Sequence, residues 1–176
     1  QVLAPLRAEG WAVPADEHII VVDNSDADAL REAVGRARIC LNCTGPYRFL
    51  GEAVVSACVD AGTDYIDLCG EPEFMQRMVL KYHEAAMAKG VIVVHACAFD
   101  SIPADMGCLF AASQFQAPAV CSSVSSFLSL SVPPGYSGHA TTFEAAVHGF
   151  GSVQELREVR KELKAKFPPP QASGNP

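Results

Sequence analysis

The chain has 176 residues, 49% hydrophobic and 19% charged, with 13 basic residues against 20 acidic ones and a formal net charge of −7. That apolar fraction supports a packed core and excludes a charge-rich disordered chain. The acidic balance argues against a nucleic-acid partner, which selects for a basic stripe. The longest apolar run, Val91–Phe99, is broken by His95 and falls far short of the ~20 residues that span a bilayer.

Gln1 is not an initiator methionine, and Gln1–Pro14 has neither the basic nor the apolar region of a signal peptide. Both ends are therefore expected to be cut. The seven cysteines, Cys40, Cys43, Cys58, Cys69, Cys97, Cys108 and Cys121, are odd in number and spread along apolar segments. They read as reduced thiols in an intracellular protein, not as a disulfide framework.

In chain order, Ile19–Asp23 (IIVVD) is a short β-branched run that predicts a strand. Ser25 and Asp28 resemble a capping box, and Ala27, Leu30, Val34 and Ala37 then fall on one helical face. Ile39–Cys43 predicts a second strand, Gly45–Pro46 a break, and Gly51–Ala61 a helix ended by Gly62 in the left-handed position. Tyr65–Cys69 predicts a third strand. Pro72 opens a helix that buries Met75, Met78, Tyr82 and Ala86 and stops at Gly90. Val91–His95 predicts the fourth strand. This βαβαβαβ order implies a parallel sheet covered on both faces, a partial doubly wound Rossmann-like α/β layout.

The pattern changes after Asp100. A helix is expected over Ala104 to Ser113 with Met106, Leu109 and Phe110 inward. Val120–Val132 alternates with period two and predicts an antiparallel strand, followed by a turn at Pro133–Gly138. Helices are expected over Thr141–Phe150 and from a Ser152/Glu155 capping box to Phe167, the latter with Leu156, Val159 and Leu163 inward. The expected division is 15–105 as a partial nucleotide-binding domain, 106–167 as the start of a second α/β domain, and 168–176 as a disordered tail.

Ligands of doubly wound sheets sit at the carboxyl ends of the strands. Here those ends read Asp23-Asn24, Asn42 to Tyr47, Asp67 to Glu71 and Ala98 to Asp100, all small or polar. Gly45 and Gly70 let a cofactor approach the backbone, and helix N-termini after the second and third strands offer N–H groups to an anion. Asp67 and Glu71 suit acid–base work, with Glu71 as a cap on the following helix the alternative. His95 reads as a core or a site histidine, core before site, and His83 as a surface residue. Cys40-x-x-Cys43 lies in a strand, where positions three apart face oppositely, so no metal is expected. Gly135-Tyr136-Ser137-Gly138 is a poor nucleophile elbow. No glycine-rich phosphate loop follows a strand near the N-terminus.

The blocks N-C-x-G-P-Y-R-F-x-G-E, D-x-x-G-E-P-x-F, K-Y-H-x-x-A and F-D-S-I-P-A-D-x-G run in order through Leu41–Gly107. On these the chain resembles the saccharopine dehydrogenase-like oxidoreductase family from about Ile19 to Gly151. The resemblance implies a Rossmann-type NAD(P)-binding domain, NADP before NAD, followed by an α/β domain. It implies hydride transfer to or from an imine or activated alkene, with roles in lipid or glycolipid metabolism. It also implies a small-molecule substrate, a cytoplasmic, lipid-droplet or membrane-associated location, and an open question of homo-oligomers. By this resemblance Asp23 lies beside the adenine. Thr44, Gly45, Pro46 and Tyr47 line the cofactor, as do Gly70 and Glu71, while Phe99, Asp100 and Ser101 face substrate. No residue is carried over as catalytic acid or base. Family members begin with a strand and glycine-rich loop that this sequence lacks, so Ile19–Asp23 corresponds to the third strand of the fold and Ile39–Cys43 presents an open edge. The alternatives are a non-catalytic Rossmann-like or lipid-droplet-associated scaffold, or a truncated product without activity of its own.

Overall fold

A computed structural model describes residues 3–129, 131–132, 134–135 and 140–168. Helix α1 (Leu3–Ala8) and a single 3-10 turn (Asp16–His18) precede α2 (Ala27–Val34). Strand β1 (Ile39–Asn42), α3 (Tyr47–Ala61), β2 (Asp64–Asp67), α4 (Pro72–Lys89) and β3 (Val93–Val94) follow. Helices α5 (Ile102–Ser113), α6 (Ala140–Gly151) and α7 (Val153–Lys166) come after the sheet. The three strands form one parallel sheet in the order β1-β2-β3, with Asn42 opposite Asp67 and Ile66 opposite Val94. The α/β class and the alternation of strand and helix are as the sequence predicts.

Residue parity sorts the sheet into two unlike faces. Cys40, Asn42, Tyr65, Asp67 and Val93 point one way, and α3 and α4 cover them. The core joins Val54, Val55, Cys58 and Val59 of α3 to Tyr65 of β2 and to Phe74, Met78 and Ala86 of α4. Each fully buried large side chain there contributes roughly 1.5–3 kcal/mol of transfer free energy. On the opposite face Ile39, Leu41, Ile92 and Val94 are exposed. The expected two-sided cover is thus present on one face only among the described residues.

Helix limits follow local chemistry. Asp26, not Ser25, caps α2: its carboxylate accepts the Ala29 amide at 3.0 Å, while Ser25 donates to Asp23. Gly62 and Gly90 end α3 and α4 at φ of 77° and 68°, where a Cβ would be strained. Pro72 opens α4 as expected. Helix α3 begins at Tyr47, four residues earlier than predicted, because Glu71 caps it from across the sheet edge.

Several expectations are corrected. Ile19–Asp23 is not a strand: no neighbouring strand is present among the described residues to pair with it, and Val21 is 94% exposed. The second to fourth predicted strands shorten to four, four and two residues. The third ends at Asp67 because that side chain takes the Cys69 amide, and the fourth because Ala96 turns at φ 59°. Val120–Val132 shows no strand among its described residues, and Phe127 is 96% exposed. In α5, Met106, Leu109 and Phe110 are exposed instead of inward among the described residues. Ser152 donates its hydroxyl to His148 O instead of closing a capping box with Glu155. Parts of the 133–138 turn and residues 169–176 of the expected tail lie outside the described residues.

Helix α7 runs alongside α4 in the same direction, with Glu155 near Arg48 at one end and Lys166 bonded to Glu84 at 2.9 Å at the other. His83, expected on the surface, is exposed and meets the Phe167 ring edge-on. No helix among the described residues is long and apolar enough to cross a membrane.

The contact between α3 and α4 depends on Gly51, where a Cβ would lie 2.6 Å from Phe74 Cζ and 3.2 Å from Tyr47 Cβ. Phe74 is fully buried and cannot yield. Gly51→Ala is expected to lower stability by about 1–3 kcal/mol through overpacking, less a helix-propensity gain of about 1 kcal/mol. A urea midpoint unchanged or raised in this variant would contradict that close approach.

Candidate functional site at the strand carboxyl edge

The register places Asn42, Asp67 and the residue after Val94, His95, level along one edge of the sheet. These side chains fall on the face covered by α3 and α4, so each polar group there needs a partner within the protein. Asp67 is 0% exposed and accepts four hydrogens. The donors are the Tyr65 hydroxyl at 2.9 Å, the Cys69 amide at 3.0 Å, the Ala96 amide at 2.9 Å and His95 Nδ1 at 2.6 Å. Burial opposes charge on this carboxyl, but the donors from His95, Cys69 and Ala96 outweigh it and hold its pKa below the ordinary carboxylate value. The Asp67 carbonyl also accepts the Cys97 amide at 2.7 Å. Asp67 therefore grips the whole 95–97 segment that leaves β3.

Glu71 grips the opposite neighbour. Its carboxylate accepts the Tyr47 amide at 2.7 Å and the Arg48 amide at 3.1 Å. These are the first two amides of α3, so Glu71 neutralises the positive end of a helix other than the one it precedes. The expectation that α3 offers free N–H groups to an anion is corrected for these two. The Asp67–Glu71 pairing is also corrected: the two carboxylates serve opposite flanking loops.

Tyr47 closes the edge between β1 and β2. Its hydroxyl donates to Asn42 O at 2.9 Å and accepts the Leu68 amide at 3.3 Å. Burial, chiefly, pushes its pKa up to about 12. Asn42 donates to the Tyr65 hydroxyl at 3.1 Å and takes the Thr44 amide at 2.9 Å, which fixes the turn after β1. Arg48 lies 3.2 Å from Glu73, 3.8 Å from Glu71 and 3.1 Å from His148 O, joining this edge to α6.

The other expected site residues are more open. Thr44 and Gly70 are exposed at the ends of β1 and β2, and a Cβ at Gly70 would meet nothing within 4 Å. Gly45 lies under α6, with its would-be Cβ 3.4 Å from Thr141 Cγ2, and Pro46 occupies the N-cap position of α3. Asp23 is exposed and turns onto Ser25, whose hydroxyl and amide lower its pKa, while neighbouring Asn24 bonds Leu50 O at 2.9 Å. Phe99 and Asp100 are exposed on the join after β3, and Ser101 is half-buried at the N-cap of α5. Thus Thr44 to Tyr47 and Gly70–Glu71 converge on one edge. Sequence reasoning missed Tyr65 and Arg48, named Asn42 only as part of a polar strand end, and put a core role for His95 ahead of a site role. The available signal was a polar residue ending each strand at a covered-face position.

Open backbone at Gly70 and the polar edge from Asn42 to His95 fit the ribose and nicotinamide side of a dinucleotide. Among the described residues no glycine-rich phosphate loop follows a strand. Among the described residues, no group of three His, Cys, Asp or Glu is placed to hold a metal. A concavity of about 790 Å³ lies on α2, lined by Asp26, Arg31 and Asp60, away from this edge.

The low Asp67 pKa links the edge to pH. Its stabilisation is fully present above the unfolded value of about 4 and is lost as pH falls through the lower folded value. Stability of the full-length protein is expected to fall on acidification below about pH 4. Asp67→Asn is expected to cost roughly 1–3 kcal/mol at neutral pH and to flatten that acid limb. Acid limbs of equal steepness in denaturant titrations of the two proteins would contradict the assignment.

Residues 9–94 match the saccharopine dehydrogenase NADP binding domain. The chain is 42% identical over 163 residues to a saccharopine dehydrogenase-like oxidoreductase of Arabidopsis thaliana, covering 93% of this chain and 36% of that protein. It is 44% identical over 149 residues to the Rattus norvegicus saccharopine dehydrogenase-like oxidoreductase, covering 84% and 34%. It is 40% identical over 148 residues to a lipid droplet localized protein of Caenorhabditis elegans, covering 82% and 34%. No solved structure matches. The chain spans about a third of the length of these relatives, and it belongs to the saccharopine dehydrogenase-like oxidoreductase family.

Proposed function

We propose that the full-length protein is an NAD(P)-dependent oxidoreductase, NADP before NAD, that moves hydride between the nicotinamide and an imine or activated alkene. The observation that carries this reading is the match of residues 9–94 to an NADP binding domain. The convergence of small and polar residues on the carboxyl edge supports it. The reduced nicotinamide supplies the hydride, and the protein orients it and excludes water. In this reading Asp23 lies toward the adenine. Thr44, Gly45 and Pro46 run along the cofactor with Gly70, and Tyr47 and Glu71 hold that turn in place from below. Phe99, Asp100 and Ser101 face substrate from the join, so the nucleotide-binding part ends near residue 105 and a second domain begins at 106.

A second reading is a scaffold at a lipid droplet. The name of the Caenorhabditis elegans relative favours it, as does the exposure of Phe127 and Phe150 at 96% and 84%. Fluorescence titration of the full-length protein with NADPH separates the two. Saturable binding is expected, and no binding at millimolar cofactor would overturn the oxidoreductase reading.

A further inference from the structure

His95 follows β3 at the carboxyl edge with its side chain only 9% exposed. Its Nδ1 is 2.6 Å from Asp67 Oδ2. An ionised carboxylate only accepts, so a ring proton sits on Nδ1, and in the neutral tautomer which that bond selects Nε2 is a bare acceptor. The rings of Tyr65 and Phe74 stand edge-on to it, each with centroids 5.6 Å away, and hold its orientation. Yet Nε2 is buried and has no hydrogen-bond partner among the described residues. A buried acceptor left without a donor costs about 1–3 kcal/mol.

A second oddity adjoins the first. Ala96 has a φ of 59°, a left-handed conformation unfavourable for a residue with a Cβ. Its amide is held by Asp67 Oδ1 at 2.9 Å. An unsatisfied acceptor and a backbone outlier on consecutive residues, both imposed by one buried carboxylate, are features that persist where a ligand makes use of them.

We propose that His95, fixed by Asp67, is a cofactor-positioning residue whose Nε2 accepts a hydrogen bond from the carboxamide amine of the nicotinamide. Nε2 then requires a hydrogen-bond donor, and on the nicotinamide ring of the dinucleotide the carboxamide amine is that donor. The proposal rests on the oxidoreductase reading above.

The test titrates full-length wild-type protein and the His95→Phe variant with NADPH and with its reduced 3-acetylpyridine analogue, in which a methyl replaces the amine. Wild type is expected to bind NADPH roughly tenfold more tightly than the analogue, and His95→Phe to bind both alike. In nitrogen-15 spectra of the wild type, the unprotonated Nε2 resonance is expected to shift with NADPH and not with the analogue. Equal affinity of the wild type for both ligands, or an unmoved Nε2 resonance at saturating NADPH, overturns the proposal and leaves cofactor binding standing. Absence of NADPH binding overturns both. If the variant fails to fold, the two wild-type measurements decide.

Discussion

A single buried carboxylate organises this edge of the molecule. Asp67 is fully enclosed, and a charge there is tolerable only because four donors surround it. Those donors come from β2 itself, from the turn after it and from the segment that leaves β3. Satisfying the charge therefore fixes three pieces of backbone at once. Glu71 repeats the device on the other side, where two amides of α3 converge on it. The middle strand and the turn after it thus supply one carboxylate for each neighbour, and the turns at a candidate cofactor edge are set by electrostatics more than by apolar packing.

The apolar core lies beneath that edge and has a different task. Phe74, Tyr65 and Val55 fill the space between sheet and helices, and Gly51 lets α3 and α4 come close enough to exclude water from it. Phe74 belongs to both systems, since its ring also stands against His95. Arg48 extends the polar system outward to Glu73 and to the α6 backbone, which ties the sheet edge to the helices that follow the join.

Local chemistry was legible in the sequence where it acts over a few residues. Gly62, Pro72 and Gly90 mark helix ends because their backbone preferences suffice. The parallel α/β rhythm was legible from apolar runs spaced by amphipathic helices. Ile19–Asp23 and Val120–Val132 were not, since a β-branched run becomes a strand only beside a partner, and none is present for either among the described residues. Helix α5 has apolar residues on every side, so its periodicity gave no direction for Met106, Leu109 and Phe110. At the site, Glu71 was legible as a helix-capping acid, but the helix it caps is reached across 24 residues. Asp67 could be read as polar at a strand end. Its partnership with His95 depends on the β2–β3 register, which spacing alone does not reveal.

The claim that Asp67 and Glu71 each hold their own flanking loop is tested most directly by amide hydrogen exchange on the full-length protein and two variants. Asp67→Asn is expected to speed exchange at Cys69 and Ala96 while leaving Tyr47 and Arg48 protected, and Glu71→Gln to do the reverse. Equal loosening of all four amides by either variant, or no change in any, would contradict the account.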